Sequence, residues 1–372
     1  DNNPEDNMHV WCLNGTESQI EKNTFNEGFN VFAENAVVAV IDNRFEKSIG
    51  NSLLGTSGIK TISSDNTISE NHLEGGAYIW CENPVQSLIH DNYLEYNSSH
   101  PAISVFNSVI GESYTKIDSN EIHNHTGVLV QNIKTIWPNA TKRAILHAND
   151  IFITQELGNY NASGHIWGIS ANDCDGVSIG DNLVVCDYGS GVPIPGTVDP
   201  PSIVIPQNTD KTVGIWIDNC QDAMVGCNET HFFGQGIHLE DDVTGTTNPN
   251  APHNYSNNTM ASCYNGLFLE VGLIADQFGS GGTGLGVDNS WPMSALPGPA
   301  VTFNARVLDN RSPLSTPAPT PINYYYSIGT FDPQLNNPLF SKQANSSPNS
   351  CMISSPPSNK RSETSKNGAN EI

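Results

Sequence analysis

The chain has 372 residues, 15 basic against 39 acidic, and a net charge of −24. That imbalance excludes nucleic acid and anionic membrane surfaces as partners, because both require a basic footprint, and no apolar run approaches the ~20 residues of a membrane span. Only 15% of residues are charged, so polarity comes from Asn, Ser, Thr and Gly, a composition suited to stacked turns rather than helices.

The sequence opens at Asp1 without a Met, which reads as a mature or excised piece. A closing motif, apolar-x-x-Asn-x-apolar, then recurs at Ile20-Asn23-Phe25, Val40-Asn43-Phe45, Ile68-Asn71-Leu73 and Ile89-Asn92-Leu94. It continues at Ile117-Asn120-Ile122, Leu146-Asn149-Ile151 and Ile179-Asn182-Val184, with weaker ends at Val225-Asn228 and Tyr255-Asn258-Met260. Apolar residues alternate across it, which is strand periodicity. The Asn is expected to end the strand in a left-handed turn conformation and, stacked in register, to form an amide ladder.

An opening motif is equally regular. It reads Gly28…Val31-Phe32-Ala33-Glu34-Asn35, Gly76…Ile79-Trp80-Cys81-Glu82-Asn83 and Gly127-Val128-Leu129-Val130-Gln131-Asn132. Later copies are Gly214-Ile215-Trp216-Ile217-Asp218-Asn219, Gly236-Ile237-His238-Leu239-Glu240-Asp241 and Gly266-Leu267-Phe268-Leu269-Glu270. With the first and third apolar residues inward, the intervening aromatic and the following carboxylate face out. Residues 79–92, 169–182 and 213–228 align as whole coils, and a fixed period of this size signals a solenoid. A minimal coil is near twenty residues, and longer gaps place loops at 137–143, 189–201 and 244–252.

After Gly272 the repeat fades. A Gly-rich run at 279–286 leads to Trp291 and Phe303, read as part of a non-repetitive cap over an open sheet edge. Residues 312–321 are Pro-rich, Tyr324–Tyr326 are expected to pack back as strand or loop, and from Ser341 the composition reads as a disordered tail or linker. The expected organisation is a β-helix over 1–272, a capping segment over 273–340 and a tail over 341–372. The fold class is all-β: a single-stranded right-handed parallel β-helix with inserted loops.

These repeats resemble the right-handed parallel β-helix superfamily with the pectate-lyase-like fold, over roughly residues 15–272. The stretch Gly266-Leu-Phe-Leu-Glu…Gly272-Leu-Ile-Ala-Asp-Gln277, followed by Asp288-Asn-Ser-Trp291, is similar to the end of secreted and surface β-helix proteins of Bacteroidota. The resemblance implies a secreted or cell-surface location. Fold resemblance alone does not carry function.

Eight cysteines are present with no Cys-x-x-Cys pair, so zinc-ribbon and thioredoxin readings are unsupported. Cys174 and Cys220 occupy the same place in matched coils, ~5 Å apart if adjacent. Both a disulfide and a buried thiol stack fit that spacing.

Chemistry is best sought on the outward face of the opening strand. An aromatic column of Phe32, Trp80, Trp216, His238 and Phe268 runs beside an acidic column of Glu34, Glu82, Asp218, Glu240 and Glu270, both interrupted at Leu129/Gln131 and Ser170/Asn172. Aromatic faces stack on sugar rings, and stacked carboxylates raise one another's pKa or recruit Ca²⁺. Trp80, Glu82, Trp216, Asp218, His238, Glu240, Phe268 and Glu270 are the candidate ligand-binding residues. Asp218, Glu240 and Glu270 are candidate catalytic acids, since paired carboxylates serve glycoside hydrolysis. Asp241 and Asp242 are metal candidates, with no cofactor beyond Ca²⁺ suggested. Asn208-Thr-Asp210 and Asp241-Asp242 resemble hydrolase acid motifs without their Gly-His-Gly and Arg-Ile-Lys companions, and read as turn acids. Lys134, Lys142, Arg143 and Lys211 are candidate bases for a lyase, and His123 with His125 form a lone metal-type pair. The expectation is a secreted or surface module, non-enzymatic, serving adhesion, polymer contact or extracellular assembly through polysaccharide contact or self-association. The alternative is a polysaccharide lyase or glycoside hydrolase.

Overall fold

A computed structural model describes residues 9–15, 17–25, 30–46, 58–75, 77–95, 100–134, 144–154, 166–187, 212–220, 223–242, 255–261, 263, 265–273, 288–290, 303–310, 322–327 and 340–345. These residues form a parallel β-helix solenoid. An eleven-stranded first sheet and nine-stranded second and third sheets each take one strand per coil, in coil order. One central coil shows the unit: Tyr78–Glu82 in the first sheet, Gln86–His90 in the second and Tyr93–Glu95 in the third. Every pairing is parallel and joins residues of successive coils.

Alternation fills the core. Along Tyr78–Glu82 the pattern is half-buried, buried, half-buried, buried, half-buried, so Ile79 and Cys81 point in while Trp80 does not. Stacked coils bring like residues together: Val31, Ile59, Ile79, Ile103, Val128, Ile169, Ile215, Ile237 and Leu267 form one inward column in continuous register. Each is essentially inaccessible, and burying such a side chain contributes about 1.5–3 kcal/mol.

Between the second and third sheets the predicted amide ladder is present. It runs Asn23, Asn43, Asn71, Asn92, Asn120, Asn149, Asn182, Asn228, Asn258 and Asn289. The backbone N–H of each donates to the next carboxamide oxygen at 2.9–3.2 Å. Its Nδ2 also reaches a backbone carbonyl of the preceding coil, as Asn120 reaches Ile89 O at 3.0 Å. The left-handed conformation falls not on these Asn residues but on the residue before each: Lys22, Asp42, Glu70, Asp91, Ser119, Ala148, Asp181, Cys227, Asn257 and Asp288. The physical reason is that the preceding residue makes the corner, which leaves the Asn side chain free to point inward. Asn35, Asn83, Asn132 and Asn219 do take positive φ, at the first turn of the coil.

That first turn carries a second, shorter ladder. Cys174 and Cys220 are stacked, but as free thiols rather than the disulfide considered above. The N–H of Cys174 donates to Cys220 Sγ at 3.3 Å, and Cys220 Sγ donates back to Asp218 O at 3.2 Å. Ser64 does the same one end of the fold away, accepting from Ala36 N at 3.2 Å and donating to Ile62 O at 2.7 Å. A small side chain with both donor and acceptor character is what the turn selects. Of the remaining cysteines, Cys227 is disulfide-bonded.

The stack does not end at Gly272. Asn289 extends the amide ladder, and Phe303–Asn310 pairs with Asn265–Leu273 as the eleventh strand of the first sheet. Residues 341–345, read from composition as the start of a tail, lie in the strand Phe340–Asn345, which pairs with Ile322–Ser327. No helix among the described residues is long and apolar enough to cross a membrane.

Candidate functional site

The outer rank of the first sheet can be read directly from its register. It runs Trp11, Phe32, Lys60, Trp80, Ser104, Leu129, Ser170, Trp216, His238 and Phe268. Trp80 and Trp216 therefore sit on equivalent rungs, and neither belongs to the core. The neighbouring rank runs Leu13, Glu34, Ile62, Glu82, Phe106, Gln131, Asn172, Asp218 and Glu240. The columns are more interrupted than the sequence reading placed them. The coil of Gly58–Ile62 contributes Lys60 and Ile62, and that of Ile103–Glu112 contributes Ser104 and Phe106. Four rungs separate Trp80 from Trp216, roughly 19 Å at the interstrand spacing.

The candidate residues thus divide into two groups. In the first, Trp80 meets Phe106 edge-on at 4.8 Å, and Lys60 Nζ lies 5.9 Å from the Trp80 ring centre. Glu82 and Glu34 are separated by Ile62 and do not pair. The second group is tighter. Trp216 and His238 are stacked, with centroids 5.7 Å apart and planes within 5°. Trp167 packs edge-on against Trp216, and Phe268 tilts against His238 at 5.1 Å. Trp216 Nε1 donates to Glu240 Oε2 at 3.2 Å, and His238 Nε2 lies 3.2 Å from Glu270 Oε2.

Electrostatics follow from that crowding. Burial, together with Glu240, Asp241 and Asp173, pushes Asp218 up to about 7. Burial and the Glu270 charge likewise raise Glu240. His238 is only 1% exposed although it lies on the outward side of its strand, so this end of the face is covered while Trp80 and Trp216 remain half-buried. The ligand atoms of His238, Glu240 and Glu270 all lie within 4.8 Å of one another. Among the described residues the metal-type grouping is therefore this set and not Asp241, which takes a positive φ at an irregularity within the strand Gln235–Asp242. The side chain of Asp242 lies outside the described residues, as do Lys142, Arg143, Asn208, Asp210 and Lys211. Lys134 ends the strand Val128–Lys134 and is exposed. His123 stacks on Phe152 at 4.7 Å and meets Glu121 at 2.9 Å, as a member of an outer row on the third sheet.

Sequence reasoning missed that row, in which His72, Tyr93, His123 and Phe152 follow one another at 4.6–5.6 Å. It also missed Trp167, Gln235 and Asn265. The signal for the third-sheet row lay in the closing motif, whose first and third residues after each Asn must face out by alternation. Compared with protein-family models, curated proteins and solved structures, the chain matches none.

Proposed function

We propose that the protein is a secreted or cell-surface β-helix module, non-enzymatic, that contacts a glycan or similar extracellular polymer through the outer face of its first sheet. Membership of the right-handed pectate-lyase-like superfamily, and the likeness to surface proteins of Bacteroidota, belong to this reading. The observation that carries it is the half-buried Trp216 on the outer rank of the first sheet, with Asp218 and Glu240 on the rank beside it. Flat rings supply apolar faces for pyranose rings, and the adjacent carboxylates accept their hydroxyls. The acidic net charge favours a neutral polymer, or an acidic one bridged by cations.

Binding to a panel of neutral and acidic polysaccharides, read by affinity electrophoresis, tests it. Trp216→Ala should weaken retention at least tenfold, about 1.4 kcal/mol, whereas Trp80→Ala, four rungs away, should change it less. Failure of every polysaccharide to bind overturns the reading.

One observation favours a second reading as a lyase or hydrolase. Asp218 at about 7 is a carboxyl group that holds its proton near neutrality, with Glu240 on the next rung. Unsaturated products or new reducing ends, lost in Asp218→Ala, would select it.

A further inference from the structure

From the cluster on the strands Gln235–Asp242 and Asn265–Leu273, we infer that His238, Glu240 and Glu270 form a site for a first-row divalent transition metal. The geometry comes first. One imidazole and two carboxylates present ligand atoms within 4.8 Å of one another, close enough for a small rotation of the Glu270 side chain to bring all three onto a single ion. Each is placed by the fold: His238 and Glu240 are two apart on one strand and so share its outer side, while Glu270 comes from the next coil. His238 is held in a fixed orientation by Trp216 on one face and Phe268 on another. Glu240 is oriented by the Trp216 indole N–H. Ligands already fixed by packing and by an outer hydrogen bond are the arrangement that metal sites require.

The charge argument points the same way. Glu240 and Glu270 bring two carboxylates into one cluster, with Asp218 on the rung before Glu240. A single imidazolium offsets one of those charges, whereas a dication offsets two. The nitrogen donor selects the class of ion. Calcium takes six to eight oxygens, while imidazole with carboxylates suits zinc and its neighbours. Three protein ligands leave a coordination position open, on the side where Glu270 is 44% exposed.

A second, independent observation lies on the same two strands. Gln235 Oε1 and both amide atoms of Asn265 have no hydrogen-bond partner, although Gln235 is 1% and Asn265 0% exposed. These two residues pair in register. Buried amides left unpaired in this way call for a ligand or ordered water on this pair of strands.

The test uses the full chain, stripped with a chelator and titrated with Zn²⁺ in a calorimeter. One equivalent should bind, with a Kd of about 1 µM or tighter. His238→Gln and Glu270→Gln should each weaken it at least tenfold with the circular dichroism spectrum unchanged, while Glu82→Gln should have no effect. Because His238 is buried, Glu270→Gln carries the result if His238→Gln does not fold. Co²⁺ in place of Zn²⁺ should give weak visible bands without an intense near-ultraviolet thiolate band. Absence of saturable Zn²⁺ uptake, equal affinity in Glu270→Gln, a thiolate band or a preference for Ca²⁺ overturns the inference. A chain that binds Zn²⁺ but no polysaccharide keeps this site and loses the function proposed above.

Discussion

The asparagine column and the outer face of the first sheet are built on the same coils, yet they tolerate change differently. The column repeats one residue type at every rung from Asn23 to Asn289, because each carboxamide must both accept from the coil before and donate to the coil after. The outer face repeats only a position. It carries Trp11, Phe32, Lys60, Trp80, Ser104, Leu129, Ser170, Trp216 and His238 in succession. Inside, hydrogen-bond satisfaction admits one solution. Outside, solvent or a covering segment accepts many, so a local run such as Trp216, His238 and Phe268 is where a specific task can be written.

Breaking the column should cost most. Asn120→Ala removes the donor to Asn149 Oδ1, Ile89 O and Asp118 O, and leaves the buried Asn92 N–H without its acceptor. Orphaned buried groups cost about 1–3 kcal/mol each, so urea unfolding should show a loss of about 3–4 kcal/mol. The same measurement on Trp80→Ala should give about 1 kcal/mol or less, because that ring packs on the outside. Equal losses would remove the distinction between the two regions.

The glycines opening each coil mark where the two regions meet. A Cβ on Gly214 would lie 2.5 Å from Gly236 O and 2.8 Å from Thr230 Cγ2. Backbone on one side and core on the other leave no room to yield. Gly214→Ala should therefore destabilise by about 2–3 kcal/mol, the scale of overpacking, measured by thermal unfolding.

This contrast also explains what could be read without coordinates. The amide ladder was legible at nine of its ten rungs, because Asn23 through Asn258 each follow an apolar residue by three places, and all but Asn228 precede another by two. Asn289 escaped because Gly286 stands three places before it, where the motif has an apolar side chain. The outward placement of Trp80 and Trp216 followed from alternation alone. The coils of Lys60 and Ser104 were missed since neither carries the aromatic–carboxylate signature. The grouping of His238 with Glu270 could not be read column by column, because the contact is diagonal: His238 faces Phe268 in register, and Glu270 stands two residues further along. The covering of His238 was equally hidden, as alternation fixes a side and not what lies over it.

On the second sheet a smaller device joins neighbouring coils through charge. His147 Nε2 lies 2.8 Å from Asp181 Oδ2, and its Nδ1 lies 3.4 Å from Asp118 Oδ1. The Asp118 contact, against burial and with help from Asp181, holds His147 above its ordinary 6.5. Burial would push Asp118 up, but His147 and Lys116 outweigh it and hold it below 3.8. The raised His stabilises fully below pH 6.5, and that contribution is lost as pH climbs through its folded value. The depressed Asp stabilises fully above pH 3.8 and loses its contribution as pH falls. Stability from this clamp should be greatest between those limits. His147→Gln should remove the decline above pH 6.5 and cost about 1–2 kcal/mol at pH 5.5, read from urea midpoints across pH.

The smallest effect is expected where the turn ladder uses sulfur. Cys220→Ser keeps an atom that can accept from Cys174 N and donate to Asp218 O, as Ser64 already does in its own coil. The change should stay within about 1 kcal/mol, with Cys220→Ala costing more because it leaves the Cys174 N–H unpaired. A disulfide between Cys174 and Cys220 would behave otherwise. It would close a loop across a separation of 46 residues, and its removal would cost about 4 kcal/mol by loop entropy. The same substitution therefore separates the two states of this turn by a margin wider than the error of the measurement, and a large loss in Cys220→Ser would mean that the thiols are bridged.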